Sequence, residues 1–191
     1  MRLALALCVA FCLPVAPILA QQDAPDQGTA VLVLNQERLL QLTQYGMRLQ
    51  RELEAASAAL ANENRQIESL LTEEELALTE RRETMPPDEF RGLADEFDIR
   101  VTAIRAAQDA KTRDLQAQAD AAQQRFFEES VPVLLQLIED RGAAVLLDSR
   151  SVLLSADSID ITEEAIAEID ETLGDGGPDP IIDLPGLTDP E

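Results

Sequence analysis

The sequence predicts a mainly α-helical protein with a small β element: a long antiparallel coiled-coil hairpin projecting from a small β-strand oligomerisation body. Three observations predict it. Aromatic residues make up only 3% of the chain, and its middle is rich in Ala, Leu, Glu, Gln and Arg, a composition suited to long helices. Two stretches carry apolar residues at steps of three and four, and neither contains a proline. Pro86 and Pro87 separate these two stretches.

Residues 1–20 read as a secretory signal, with Arg2 as the charged start, an apolar run from Leu3 to Leu13, and Ala20 before the expected cleavage point. The run is too short to span a bilayer, and no second one follows, so no transmembrane segment is expected in the mature chain. Both cysteines, Cys8 and Cys12, fall inside the removed segment. The mature chain then has no thiol, and its stability must come from packing or assembly.

Residues 21–30 form a polar, flexible lead. Val31, Leu32, Val33 and Leu34 read as a short buried strand, and Asn35 caps the helix that follows. From residue 36 to residue 84 the seam runs through Leu39, Leu42, Gly46, Leu49, Leu53, Ala56, Leu60, Ile67 and Leu70, interrupted by Glu63. Beyond Leu60 a second series through Asn64, Ile67, Leu71 and Leu78 fits equally well, with a longer period that relaxes the supercoil.

The prolines then reverse the chain, since proline lacks an amide donor and clashes with the preceding turn. A return seam passes through Phe90, Ala94, Phe97, Val101, Ile104, Gln108, Lys111, Leu115, Gln118, Ala122 and Phe126, and it is partly polar and loosely filled. Residues 36–130 are therefore the helical hairpin arm, with its tip near residues 85–88. Residues 31–35 and 131–173 are the oligomerisation body. There Pro132 is expected to kink the second arm and Gly142 to stop it. Val145 to Leu147 and Val152 to Leu154 read as two strands paired in a hairpin. Thr162 caps a last short helix whose buried face is Ile166, Ile169 and Leu173. Residues 174–191, rich in Gly, Pro and Asp, read as a disordered acidic tail.

Short strands and one short helix cannot bury enough apolar area to support arms of this length as a monomer, so assembly is expected. Spacing alone leaves the copy number open among dimer, trimer and tetramer. Tyr45 and Gly46 are expected to mark close packing at the root of the first arm, and Phe126 and Phe127 to pack at the base of the arms. Asn64 either fixes register in the seam or faces solvent.

The formal net charge is −22, and losing Arg2 with the signal takes it to −23. Every charged residue from Asp157 to Glu191 is acidic, which makes nucleic acid a poor partner. Histidine and tryptophan are absent, which removes the commonest general base and transition-metal ligand together. Acid pairs such as Glu74 and Glu75 diverge by about 100° on a helix and do not converge on a substrate. No catalytic, cofactor-binding or metal-binding residue is expected, no cofactor is implied, and substrate-binding residues are unknown from the sequence. The chain is not expected to be an enzyme.

This arrangement resembles the Skp/OmpH family of periplasmic chaperones. The resemblance rests on Val-Leu-Asn-Gln-Glu-Arg-Leu-Leu from Val33 to Leu40, Gln-Tyr-Gly from Gln44 to Gly46, and Glu-Asn-Arg-Gln-Ile-Glu from Glu63 to Glu68. It continues in Glu-Phe-Arg from Glu89, Phe-Asp at Phe97 and Asp98, Leu-Leu-Asp-Ser-Arg from Leu146, and Ile-Asp-Ile-Thr from Ile159 to Thr162. It implies a periplasmic homotrimer whose hairpins project like tentacles around a cavity, holding unfolded outer-membrane β-barrel proteins without ATP. One departure is electrostatic. Better-known members are basic, whereas this tip carries Glu73, Glu74, Glu75, Glu80, Glu83, Asp88 and Glu89 against Arg81, Arg82 and Arg91, so a basic lipopolysaccharide site is not carried over. The competing reading is a coiled-coil spacer or adaptor of the cell envelope that docks one fixed partner.

Overall fold

A computed structural model describes residues 30–184. The expected signal peptide, nearly all of the lead, and the last seven residues of the acidic tail lie outside the described residues. The chain runs β1 (Ala30–Leu34), α1 (Gln36–Leu42), α2 (Gln44–Arg81), α3 (Pro87–Asp140), β2 (Ala143–Asp148) and α4 (Thr162–Thr172), with single 3-10 turns at Ser149–Ser151 and Asp157–Ile159.

Two long helices dominate, joined at the expected reversal. α2 ends at Arg81, and Pro87 opens α3 as its first residue, where a missing amide costs nothing. At 1.5 Å per residue the 38 residues of α2 extend about 57 Å, and the 54 of α3 about 80 Å. α3 is longer because it continues through Pro132, so one helix serves as both the returning arm and part of the body.

The first arm is not one helix from residue 36. Thr43 is extended (φ −70°, ψ 153°) and separates α1 from α2, its side chain accepting the amide of Gly46. The Asp170 carboxylate of α4 accepts the amide of Gln44 at 2.7 Å, so the last helix satisfies the start of the arm. This sharp turn presses the Leu40 carbonyl onto Gly46: a Cβ there would sit 1.4 Å from the oxygen. Only glycine fits.

The sheet differs from expectation. β1 and β2 pair in parallel, Val31 opposite Val145 through Leu34 opposite Asp148, so the whole hairpin is the crossover between two neighbouring strands. The expected strand at Val152 to Leu154 does not form. Asp148 caps the Ser149–Ser151 turn instead, and the chain leaves the sheet with Leu153 and Leu154 97% and 90% exposed. β1 gains only a single parallel bridge from Val33 to Asp160, beside which the Ile161 amide donates to the Val33 carbonyl at 3.0 Å.

Two further corrections concern the C-terminal part. The carboxylate of Asp160, not Thr162, receives the first amide of α4 at 2.9 Å. The Thr162 hydroxyl accepts instead from the Asn35 amide at 2.9 Å and ties α4 to the end of β1. Residues 174–184 are not a detached tail but lie packed against the arms, with Ile182 and Leu184 buried. Sequence composition missed this because the docking partners belong to the hairpin.

The core sits at the base of the arms. Leu32, Leu34, Leu39, Tyr45, Phe126, Leu137, Ile161, Ala165 and Ile169 form one buried cluster, with Ile166 and Leu173 packed against it. The Tyr45 ring lies 5.3 Å from that of Phe126, which meets Phe127 edge-on at 5.2 Å. The Tyr45 hydroxyl donates to the Ala122 carbonyl at 3.4 Å, and burial, followed by the nearby Glu129 charge, pushes its pKa up.

Candidate functional site

Between the arms the packing changes with distance from the body. Near the base Leu49, Leu60, Leu115 and Ala122 are buried against one another and their neighbours. The seam then meets a polar layer. The Lys111 ammonium lies 2.6 and 2.8 Å from the two Glu63 carboxylate oxygens, and the Gln108 amide donates to the same carboxylate at 3.1 Å. The hydrogen bond from Lys111 holds the Glu63 carboxyl below its usual pKa, against the opposing effect of burial. The residue that interrupts the first seam thus meets two of the polar residues of the second, Gln108 and Lys111.

Beyond this layer the arms do not close. An open cleft of about 740 Å³ has an apolar floor of Ile67, Leu71, Phe97, Val101 and Ile104. Its rim carries Glu68, Glu75, Asp98 and Asp109 against Arg105. The floor follows the second of the two series expected beyond Leu60, because Leu70 of the first is 64% exposed. Asn64 is also exposed, so it fixes no register in the seam. Further out, Arg100 pairs with Glu74 across the arms. Leu76 and Ile99 add exposed apolar surface on the arms' outer faces.

The cleft offers apolar contact and exposed charge, with no convergent chemistry. Among the described residues no group of His, Cys, Asp and Glu could hold a metal ion, and no helix is long and apolar enough to cross a membrane. The cleft floor could be located in the sequence only as the loosely filled part of the return seam. A second contact left no local signal: Arg48, Glu52 and Gln118 grip the main chain of residues 175–183.

A family model described as outer membrane protein (OmpH-like) matches residues 30–169, which span β1, the whole hairpin, β2 and most of α4. The chain belongs to the OmpH-like family. The crystal structure of an OmpH-like protein from Caulobacter crescentus CB15, named for a proposed outer membrane chaperone role, superposes with a TM-score of 0.73 at 20% identity. It covers 78% of this chain and 89% of that one, a likeness of fold. No curated protein matches the chain. The family match stops at residue 169, so the segment packed against the arms lies beyond the part shared with the OmpH-like model.

Proposed function

We propose that this OmpH-like protein is an ATP-independent holding chaperone of the periplasm, acting as a homotrimer that binds unfolded outer-membrane β-barrel proteins and prevents their aggregation. Family membership supports a chaperone role. The observation that carries the reading is the underfilled hairpin: a cleft of about 740 Å³ with a half-buried apolar floor, where a spacer would gain stability from a closed seam. Such a surface holds an unfolded strand through many weak contacts and asks for no defined partner shape.

Assembly is supported by the body. Val131 and Leu135 on α3, Val145 and Leu147 on β2, and Leu153 and Leu154 after it are all exposed apolar residues of the body. Among the described residues the β2 edge away from β1 has no partner strand. Apolar surface and an open edge on one small body call for neighbouring copies to cover them.

The test dilutes a urea-unfolded barrel protein into buffer with the mature chain and without nucleotide, reading light scattering and the mass of the complex. Suppressed scattering, with one client on three copies, is expected. Undiminished aggregation, together with stoichiometric capture of a single folded envelope protein, overturns the reading in favour of a spacer or adaptor.

A further inference from the structure

The two arms keep different periods. On α3 the seam steps by four and three residues in strict alternation from Phe90 to Ala122, the period of a heptad repeat. On α2 the same alternation runs from Leu49 through Leu53, Ala56 and Leu60 to Glu63 and Ile67, and its next member would be Leu70. Leu70 is instead 64% exposed, while Leu71 lies half-buried on the cleft floor and Leu78 is half-buried one heptad further on. Two successive steps of four, Glu63 to Ile67 to Leu71, take the first arm out of phase with a partner that makes no such shift. The cleft begins where the shift occurs.

The polar layer stands on the basal side of that shift. A carboxylate at the centre of a closed apolar seam would lose its water without gaining a donor. Glu63 escapes this by reaching Lys111 and Gln108 while its side chain stays 28% exposed. Lys111 is the only lysine among the 15 basic residues of the chain, and its compact ammonium needs less room between helices than the guanidinium fork of an arginine. The layer is incompletely satisfied: among the described residues the Gln108 Oε1 is buried without a hydrogen-bond partner. A polar group set into a seam at a cost in stability is a device for fixing how two helices align.

We propose that the layer of Glu63, Gln108 and Lys111 sets the rotation of the first arm, turning Leu71 rather than Leu70 toward the second arm, and thereby holds the cleft open. With Glu63 held by two partners on α3, the helix beyond it presents Ile67, Leu71 and Leu78. Ile67 and Leu78 are eleven residues apart, whereas the facing residues of α3 repeat every seven, and facing helices of unequal period drift out of phase. The three members of the layer are positioning residues and need touch no client. Their effect on the arms stands on the geometry alone; that an open cleft serves clients rests on the holding-chaperone reading.

The test uses the mature chain, which lacks Cys8 and Cys12, with spin labels on a distal cysteine pair or a basal one, each pair having one label on either arm. The distal pair is Ser69→Cys with Ala106→Cys and the basal pair Ser57→Cys with Ala117→Cys, all at exposed positions. Labelled chain is diluted with excess unlabelled chain, and pulsed dipolar spectroscopy reads the distances. Glu63→Leu with Lys111→Met makes the heptad seam of α2 continuous through Leu70, so the distal distances should shorten by a few ångström and narrow while the basal distances hold. Exchanging the pair, Glu63→Lys with Lys111→Glu, keeps a polar layer and should leave both distances as in the original chain. Unchanged distal distances in the apolar variant, or the same closure in the exchanged variant, overturns the proposal. The basal pair reports that each variant hairpin is folded. Aggregation of an unfolded barrel protein is then followed with the same chains. Closed arms with holding lost support both readings, and closed arms with holding unimpaired refute the cleft as the client site while leaving the positioning role intact. Arms still parted with holding lost refute the positioning role alone.

Discussion

Replacing Lys111 by Met tests whether the arm's polar layer is a matched pair set into an apolar seam. The side chains of Lys111 and Glu63 are 29% and 28% exposed, so the pair is neither a free surface bridge nor a dry one. Its direct attraction should contribute about 1 kcal/mol. Removing the ammonium also leaves a partly buried carboxylate with Gln108 as its remaining donor, at a cost of about 1–3 kcal/mol. Lys111→Met should therefore destabilise by about 2 kcal/mol. The double substitution Glu63→Leu with Lys111→Met turns the layer into ordinary seam and should return stability to within about 1 kcal/mol of the original, or above it. Urea unfolding followed by far-ultraviolet circular dichroism, at one fixed protein concentration, measures all three chains.

The pH dependence carries a sign. With its pKa lowered on folding, Glu63 binds fewer protons in the folded than in the unfolded chain between the two values. Stability from the pair is then present above the unfolded value and lost as pH falls through the folded one. The advantage of the original chain over Lys111→Met should be present above the ordinary carboxylate range and be lost as pH falls below it, and the double variant should lack this contribution. A Lys111→Met chain as stable as the original, or a double variant weaker than the single, would refute the reasoning.

Gly46→Ala should destabilise by about 3 kcal/mol or more, because its methyl group must displace the Leu40 carbonyl; a melting temperature within a degree or so of the original would count against the tight turn. Phe126→Ala empties the centre of the base core, where the ring is fully buried, and should cost about 3–5 kcal/mol in the same unfolding assay. Leu153→Asp with Leu154→Asp changes two residues that touch little within one chain, so the helical signal should persist while sedimentation, if the proposed trimer forms through them, shows a shift toward monomer. Glu52 is held below its usual pKa because the Ile182 amide, the Arg48 side chain and the Ile181 amide together outweigh the upward push of burial. Hydrogen-exchange protection of Ile181 and Ile182 should accordingly be retained near neutral pH and fall as acid protonates that carboxylate.

The return seam was fully legible. All eleven positions from Phe90 to Phe126 named from spacing are buried or half-buried, because a helix facing one partner obeys a fixed period whatever the surroundings. The first seam was legible from Gly46 to Leu60 but not at Leu42, which ends α1 before the break at Thr43 and is 44% exposed; beyond Leu60 two registers fit and the facing arm had to choose between them. Of the candidate site, the loose filling could be read in Gln108 and Lys111, but not that Glu63 would meet both, since register across a hairpin depends on how its turn closes.

What the sequence by itself determined was the pair of long helices, their reversal at Pro86 and Pro87, and the short strand before them, all consequences of near-neighbour rules about period and proline. Only the tertiary structure decided the rest. Val152 to Leu154 have strand-forming residues yet form no strand, because the turn capped by Asp148 carries them away from the sheet and leaves Leu153 and Leu154 exposed. The segment after Gly174 looks too polar to fold, yet it is ordered by Arg48, Glu52 and Gln118, more than sixty residues away. Hydrogen bonds made between distant parts of a chain leave no period in the sequence, so a segment whose order comes from its partners cannot be recognised from its own residues.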